Sequence, residues 1–381
     1  MNIILLKTPM VFHRGFFMVT MDDQRSMKRA LELAEKGRGC TSPNPMVGAV
    51  ILRDGLIVGE GYHARAGLPH AEVNAITQAG DQAQGATMYV SLEPCSHTGR
   101  TPPCTMAIIE AGIRRVVCAV MDPNPKVSGG GSHALRQAGI EVDVGLMAEE
   151  AKRLNEVYFQ YVTTGLPFVT VKIAQTIDGK IAAPDGNSRW ISGEASRRFV
   201  HRLRSHNDAV LVGVNTVIAD NPELTVRAVE GRNPNRIVLD PSLRIPFQSN
   251  LVKGHAEGRT IVAASERING SKVAQLQAKG VETWEIPVNN DHRMDLGALL
   301  KKIGEEGMTS LLVEGGATVF TTFLQSHAVH KLHVFIAPMA LGSGRSSIGD
   351  LGIQSLQQAL RLQEVEMRQM NGDVLITGYL K

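Results

Sequence analysis

Beyond its first 20 residues, this 381-residue chain alternates between apolar positions at helical spacing and short, continuous apolar runs. Met27, Ala30, Leu31 and Ala34 recur at helical spacing, and Gly37 follows as a stop. Val47 to Leu52 predicts a strand, Asp54-Gly55 a hairpin turn, and Leu56 to Gly59 the return strand. A helix is expected to start near Ala71. Met88 to Val90 predicts a short buried strand, followed by a helix over 104–111 and a strand over 116–120. A helix over 132–138, a strand over 142–144 and a helix over 149–163 complete the series. Thr163-Thr164-Gly165-Leu166-Pro167 then breaks the chain.

A second series opens with a strand at Phe168 to Lys172. Further strands are expected at 209–213, 236–240, 260–264, 310–313 and 331–337, with helices at 194–205, 271–279, 296–305 and 317–326. The segment 372–379 predicts a last edge strand. Alternating strands and helices imply sheets covered by helices, an α/β protein. The expected organisation is a poorly structured extension over 1–20, one domain over 21–165 and another over 166–381. The extension is apolar but broken by Lys7, Pro9, His13 and Arg14, unlike a signal peptide, and Met18 or Met21 is a candidate start. No internal repeat is visible.

Composition narrows the function classes. Apolar residues make up 43% and charged residues 20%, which excludes a disordered chain. Forty basic residues against 37 acidic ones give no field for bulk nucleic acid or a membrane surface. Aromatics at 4% are too few for a base-stacking platform. No uninterrupted apolar run reaches membrane-spanning length. Four cysteines, at 40, 95, 104 and 118, make no disulfide framework and fit a reducing compartment, the cytoplasm.

Chemistry concentrates in two short segments, Pro69-His70-Ala71-Glu72 and Pro94-Cys95 with Cys104 nine positions on. One imidazole and two thiolates suit tetrahedral Zn²⁺ and leave a fourth position for water. A closed structural site is the competing arrangement, with His63 or His97 as the extra ligand. Glu72 argues for an open one. With His70 just before a helix and Glu72 in its first turn, both side chains can address one metal. A carboxylate there takes a proton from zinc-activated water and returns it to a leaving amine, as in the zinc nucleobase deaminases. Arg100 and His97, in the insert between the cysteines, are candidates for an anionic part of a substrate. Asn44, set between two prolines, is a candidate for a base edge. Cys40 and Cys118 are expected to be structural.

In the second half there is no G-x-G-x-x-G opening a βαβ unit. Val313-Glu314-Gly315-Gly316-Ala317-Thr318 reads as a strand ending in glycines before a helix. Such a helix start suits a pyrophosphate, and it equally suits an ordinary cap. Arg204 and Arg227 are of the type that grips a ribose phosphate.

The runs T-S-P-N-P-M-V-G-A-V-I (41–51), G-Y-H-A-R-A-G-L-P-H-A-E-V-N-A (61–75) and S-L-E-P-C-S-H-T-G-R-T-P-P-C (91–104) resemble the bifunctional riboflavin-biosynthesis deaminase/reductase family. D-P-N-P-K-V-S-G (122–129), W-I-S (190–192), A-D-N-P-E-L-T-V-R (219–227) and V-E-G-G (313–316) extend the likeness to both halves. Gly129-Gly130-Gly131 is richer in glycine than the family pattern, Thr176 stands where Ser is common, and the first 20 residues lie outside it.

The resemblance implies an N-terminal cytidine-deaminase-like three-layer α/β/α domain and a C-terminal dihydrofolate-reductase-like α/β domain. The first would use one zinc, held by His70, Cys95 and Cys104 with Glu72 as proton shuttle. It would deaminate 2,5-diamino-6-(5-phosphoribosylamino)pyrimidin-4(3H)-one. The second would use NADPH to reduce the ribosyl group of 5-amino-6-(5-phosphoribosylamino)uracil to ribityl. It further implies cofactor contacts from Ala174, Trp190, Thr216, Asp220, Gly316, Ala317, Thr318, Val319, Phe320, Thr321 and Thr322. By the same resemblance Ser188, Arg204, Leu224, Arg227 and Glu314 would hold substrate; separately, Lys172 and Asp220 are candidates to assist a proton step. Arg189, Arg197 and Arg198 are candidates for a 2′-phosphate. The expected partner is a small phosphoribosylated pyrimidine, with no nucleic acid and no membrane, in a homo-oligomer (dimer or tetramer). Two rivals stay open here: a zinc deaminase of nucleosides or nucleic acid, and a structural zinc module fused to a nucleotide-binding regulatory domain.

Overall fold

The computed structural model describes residues 19–97, 102–125, 127–254, 257–265, 270–289 and 294–380. These fall into two compact units that divide between Asn155 and Glu156, with the short loop 42–44 grouped with the second.

In the first unit, α1 (Met21–Glu35) starts at a reciprocal cap. The Thr20 side chain accepts from Asp23 N–H, and the Asp23 carboxylate accepts from Thr20 N–H. Asp23 is also buried and takes hydrogen bonds from Tyr89 O–H (2.7 Å) and Arg115 Nη1 (3.1 Å). The helix is therefore pinned to the sheet beneath it. That sheet contains β1 (Gly48–Arg53), β2 (Leu56–Tyr62), β3 (Thr87–Val90), β4 (Arg115–Cys118) and β5 (Glu141–Val144). Their order is β2-β1-β3-β4-β5, antiparallel on the β2 side and parallel from β3 to β5. α2 (Ala71–Ala79), α3 (Cys104–Glu110) and α4 (Gly130–Gln137) cover one face, while α1 and α5 (Ala148–Leu154) cover the other. This is a three-layer α/β/α unit.

β2 runs past Gly59, where the expected strand ended, because its glycines serve packing. A Cβ on Gly61 would lie 2.2 Å from the Ala71 carbonyl oxygen. Without it, the first turn of α2 rests directly on the strand. The single helix expected over 149–163 is instead two, because the Asn155 side chain bridges Met46 N–H and C=O at 2.8 Å each. Its backbone leaves the helical range there (φ −103°, ψ 23°). The next helix, α6 (Glu156–Thr164), belongs to the second unit. Glu156 accepts from Lys331 Nζ (2.8 Å) and Tyr379 O–H (2.7 Å), and Tyr161 O–H donates to Gly304 C=O (3.0 Å). The division thus lies ten residues before the join expected at 165.

Among the described residues, the second unit is built on a nine-stranded sheet. Its strands are β6 (Phe168–Thr176), β8 (Ala209–Gly213), β9 (Asn235–Leu239), β10 (Thr260–Ser265), β11 (Val281–Ile286), β12 (Ser310–Gly315), β13 (Lys331–Ala337), β15 (Gln363–Met370) and β16 (Asp373–Tyr379). β7 (Lys180–Ala182) and β14 (Arg345–Ser346) form a separate two-stranded ribbon. The order is β11-β10-β9-β8-β12-β6-β13-β16-β15, parallel from β11 to β13. α11 (Leu296–Glu305) and α12 (Ala317–Gln325) bury one face through Ile303, Phe320 and Phe323. α7 (Glu194–His206), α8 (Val214–Asp220), α9 (Asn250–Lys253) and α10 (Gly270–Gln277) cover the other.

Among the described residues of this unit, four strands (β7, β11, β14 and β15) and two helices (α8 and α9) escape the sequence pattern. β16 is not the edge expected of 372–379, because β15 lies outside it. β15 is exposed along most of its length and so carries no core signature. Val281 to Ile286 forms the opposite edge. α8 follows β8 without an intervening loop, with Gly213 as its N-cap.

On β13, burial pushes the His333 imidazole down to about 3, with its Nδ1 at 2.8 Å from the Thr377 hydroxyl. The native state thus refuses a proton that the unfolded chain takes at its ordinary value of 6.5. His333 therefore contributes full stability above that value and loses it as pH falls toward 3, by about 1.4 kcal/mol per pH unit. Denaturant unfolding between pH 7 and 4 should show a steeper acid loss for the native chain than for His333→Gln. Equal slopes would contradict this account.

Candidate functional site

His70 is the N-cap of α2, and Glu72 sits in its first turn. Cys95 lies in the loop after β3, and Cys104 is the first residue of α3. The packing of Gly61 against Ala71 therefore sets where the His70 and Glu72 side chains begin. His70 Nδ1 lies 3.1 Å from Cys104 Sγ and 3.7 Å from Cys95 Sγ, and Cys104 N–H points at Cys95 Sγ at 3.3 Å. The three ligand atoms lie within 4.8 Å of one another. One nitrogen and two sulfurs at this spacing match a zinc donor set.

The two thiols are held unevenly: the hydrogen bond to Cys95, then burial, pushes the Cys104 thiol up. Hydrogen bonds from the Cys104 thiol and His70 hold Cys95 down to about 4, against desolvation, so it is a thiolate at neutral pH. Glu72 is buried and interacts with Cys104. Burial first, then the Cys95 charge, pushes it up to about 7, the range suited to exchanging protons at physiological pH.

His63 and His97 do not join the triad among the described residues. The buried His63 instead packs edge-on against the His70 ring at 5.1 Å, with its Nδ1 3.3 Å from Pro69 C=O. Asn44 is half-buried in the loop leading to β1. Arg100 lies outside the described residues. Cys118 is buried in β4, and Cys40 is exposed.

In the second unit the candidates collect at the carboxyl ends of β6, β8 and β12, where the strand order reverses. Ligands of open α/β sheets bind in such crevices. Arg204 of α7 grips Glu314 of β12 in a fork, Nε to Oε1 at 2.6 Å and Nη2 to Oε2 at 2.8 Å. Burial pushes the Glu314 carboxyl up, but Arg204 and Lys172 outweigh it and hold it below the ordinary range. Burial lowers the Lys172 ammonium, against the pull of Glu314. Arg204 Nη1 also reaches Thr225 C=O (3.1 Å), next to Leu224, which is buried at φ +55°. Arg227 bonds Glu223 and the Thr225 hydroxyl, both at 2.9 Å, and its N–H donates to His201 Nδ1 (3.2 Å). His201 was not singled out by sequence, because a histidine within a helix carries no motif.

Ala174 is half-buried on β6. Thr216 of α8 abuts the Gly315-Gly316 turn, where a Cβ on Gly315 would come within 3.0 Å of it. Gly316 has φ +97° and caps α12 without a side-chain hydrogen bond, so the helix-start N–H groups of Ala317, Thr318 and Val319 have no side-chain cap. This bare, donor-rich turn fits the pyrophosphate of a dinucleotide. Val319 and Phe320 turn their side chains into the core, so they offer backbone to a ligand. Thr321 accepts from Gly349 N–H (2.8 Å), and Thr322 donates to Thr318 C=O (2.9 Å).

Ser188 donates to Asp220 at 3.0 Å, and Arg189 donates to the Asp220 carbonyl. Exposed Trp190 is flanked by Arg197 at 4.5 Å and Arg189 at 5.8 Å. Arg198 instead pairs with Glu194 at 3.5 Å on the surface. Asp178, in the turn between β6 and β7, accepts from Leu341 N–H (3.1 Å) and Gly342 N–H (2.6 Å) and so ties down their loop.

Residues 20–120 match the model of the cytidine and deoxycytidylate deaminase zinc-binding region, and 167–376 that of the RibD C-terminal domain. The riboflavin biosynthesis protein RibD of Aquifex aeolicus is 48% identical over 360 residues, covering 94% of this chain and 99% of the relative. That of Escherichia coli is 42% identical over 370 residues, covering 93% and 99%. Among solved structures, Acinetobacter baumannii RibD aligns at 37% identity with TM-score 0.85 over 94% of this chain and 99% of that one. A Thermotoga maritima diaminohydroxyphosphoribosylaminopyrimidine deaminase/5-amino-6-(5-phosphoribosylamino)uracil reductase aligns at 38% and 0.81, covering 94% and 98%.

Arg204→Ala should remove the main counter-charge of a buried carboxylate. Urea unfolding of the second unit is expected to lose about 3–5 kcal/mol. A loss under about 1 kcal/mol, the scale of an exposed pair, would show that the fork is not needed.

Proposed function

The chain belongs to the family of the bifunctional riboflavin biosynthesis protein RibD, and from that membership we propose how its residues divide the two reactions. It is a deaminase and a reductase, with zinc serving the first activity and NADPH the second. The observation that carries the deaminase assignment is the His70, Cys95 and Cys104 triad with buried Glu72 beside it. Zinc held there supplies Lewis-acid activation of the water that replaces the amine. Glu72 takes the proton of the attacking water on a carboxylate oxygen and delivers it to the departing amine of 2,5-diamino-6-(5-phosphoribosylamino)pyrimidin-4(3H)-one. Asn44 contacts the base edge.

In the reductase unit NADPH supplies the hydride. The Gly316–Thr322 turn and first helical turns take its phosphates, while Ala174, Trp190, Thr216 and Asp220 line its nicotinamide side. Glu314, oriented by Arg204, contacts the substrate together with Ser188, Leu224 and Arg227. The acceptor is the ring-opened, imine-like form of the ribosylamine. Hydride would add at its C1′, and the half-buried Lys172 would give the proton to nitrogen, with Asp220 the other candidate. Lys172 suits this because burial eases its deprotonation.

The substrate is a small molecule, and none of the described helices is long and apolar enough to cross a membrane. Balanced charge speaks against nucleic acid as substrate, and four free cysteines support a cytoplasmic setting. A homo-oligomer, dimer or tetramer, is favoured by the outer strand β15, whose Val365 and Met367 are exposed. Light scattering of the pure chain should give a multiple of its mass, and a monomer at micromolar concentration would exclude this.

Given the diaminopyrimidine ribotide and NADPH, pure protein should release ammonia first and oxidise NADPH second. Glu72→Gln should retain zinc, slow ammonia release by about 10²–10⁴-fold, and still oxidise NADPH with the uracil ribotide. Undiminished ammonia release would remove Glu72 from the proton shuttle.

A further inference from the structure

Glu93 is a buried carboxylate, 4% exposed, that lies outside the His70, Cys95 and Cys104 triad. It lies two residues before Cys95, in the loop that carries that ligand out of β3. Its oxygens accept three backbone N–H bonds. Oε2 takes those of Asp122 (3.2 Å) and Gly129 (3.1 Å), and Oε1 takes that of Ser132 (2.9 Å). Gly129 is the N-cap of α4 and Ser132 lies in its first turn. The carboxylate therefore satisfies helix-start donors that have no partner within α4, and its charge faces the positive end of the helix. Buried in this way, a carboxylate bonded by three donors is fixed in orientation.

A second contact acts on the same loop from the same helix. A Cβ on Gly131 would lie 1.9 Å from the Pro94 carbonyl oxygen and 3.2 Å from Glu93 Cγ. One on Gly130 would lie 2.8 Å from Ser96 Oγ. The start of α4 thus abuts residues 93, 94 and 96, on both sides of Cys95. From α3, Thr105 N–H holds the Cys95 carbonyl at 3.2 Å. Glu93 N–H is itself bonded to Val120 C=O at 3.0 Å, which fixes the root of the loop to the end of β4. The run Asp122 to Gly131 supplies two of the three donors, Asp122 and Gly129, and the bare surface for this contact.

We propose that Glu93, seated on the start of α4, is a positioning residue for the metal: it holds the Cys95 thiolate where His70 and Cys104 can share one ion with it. The inference rests on the zinc assignment. It adds that the affinity of the triad depends on a carboxylate that never touches the ion. Partners that orient metal ligands from behind typically change metal affinity by about 10–100-fold when removed.

The test compares the full-length chain with Glu93→Gln and with Asp23→Asn, which loosens a buried carboxylate of the same unit next to α1. Zinc affinity is read by competition with a chromophoric chelator, and the d–d spectrum of the Co²⁺-loaded protein reads ligand geometry. Melting with and without zinc separates metal binding from folding. For Glu93→Gln we expect zinc bound about 10–100-fold more weakly, an altered Co²⁺ spectrum and a smaller zinc-induced rise in melting temperature. Asp23→Asn should lower both melting temperatures together and leave zinc affinity unchanged.

A Glu93→Gln protein with native zinc affinity and Co²⁺ spectrum would overturn the proposal. So would one that stays unfolded in saturating zinc, because Glu93 would then be a requirement of the fold. A native chain that binds no zinc would instead remove the assignment on which the inference rests. NADPH oxidation with the uracil ribotide reports the integrity of the other unit in every variant.

Discussion

Backbone-to-backbone contact between helix starts and the strands or loops beneath them is the constraint on which the deaminase site depends. α2 meets β2 at Gly61 and α4 meets the Pro94 carbonyl at Gly131, with no Cβ between them in either place. Each contact carries chemistry-bearing residues with it: His70 and Glu72 on α2, and Cys95 in the loop under α4. A metal site tolerates displacements of only a few tenths of an ångström in its ligands. Contacts that admit no intervening side chain leave the helices little freedom to slide. Close-packed interiors transmit such constraints without loss.

Three buried glutamates show how environment assigns roles to one side chain. Glu72 has burial and a neighbouring thiolate to contend with, and is pushed to where it can exchange protons. Glu93 is met by three N–H dipoles. Glu314 is met by a guanidinium fork and a lysine, which keep it ionised in spite of its burial. A buried carboxylate without such partners would be costly enough to destabilise its unit. The partners are therefore as much part of each site as the carboxylate, and an ionised Glu314 held in one orientation is suited to recognising a sugar hydroxyl.

The sequence showed the deaminase chemistry more clearly than the reductase chemistry. His70, Cys95 and Cys104 are rare residue types whose combination has few structural uses, and the structure brings them within reach of one ion. Glu314, Arg204 and Lys172 are common types spread over 143 positions, and only the order of the sheet makes them neighbours. The central strands were legible because both of their faces are buried, giving continuous apolar runs such as Ala209 to Gly213. β15 was not, because its side chains are mostly exposed and its alternation carries no burial signal. The break at Asn155 was also hidden, since its cause is a side-chain bridge to Met46, 109 positions away.

The same contrast applies to how the two candidate sites would hold their cofactors. Zinc bonds a few atoms directly, so it demands particular side chains at particular points, and the sequence records them. A dinucleotide is held largely by shape and by backbone N–H groups, to which many side chains are indifferent. At the Gly315-Gly316 turn the requirement is the absence of side chains, together with φ +97° at Gly316. An absence is a weak sequence signal, because glycine serves turns and caps equally well. What distinguishes this turn is its location, at the carboxyl end of β12 between β8 and β6, where the strand order reverses, the position at which open α/β sheets bind ligands. The candidate reductase site is therefore specified by topology first and by residue type second, whereas the candidate zinc site is specified the other way round.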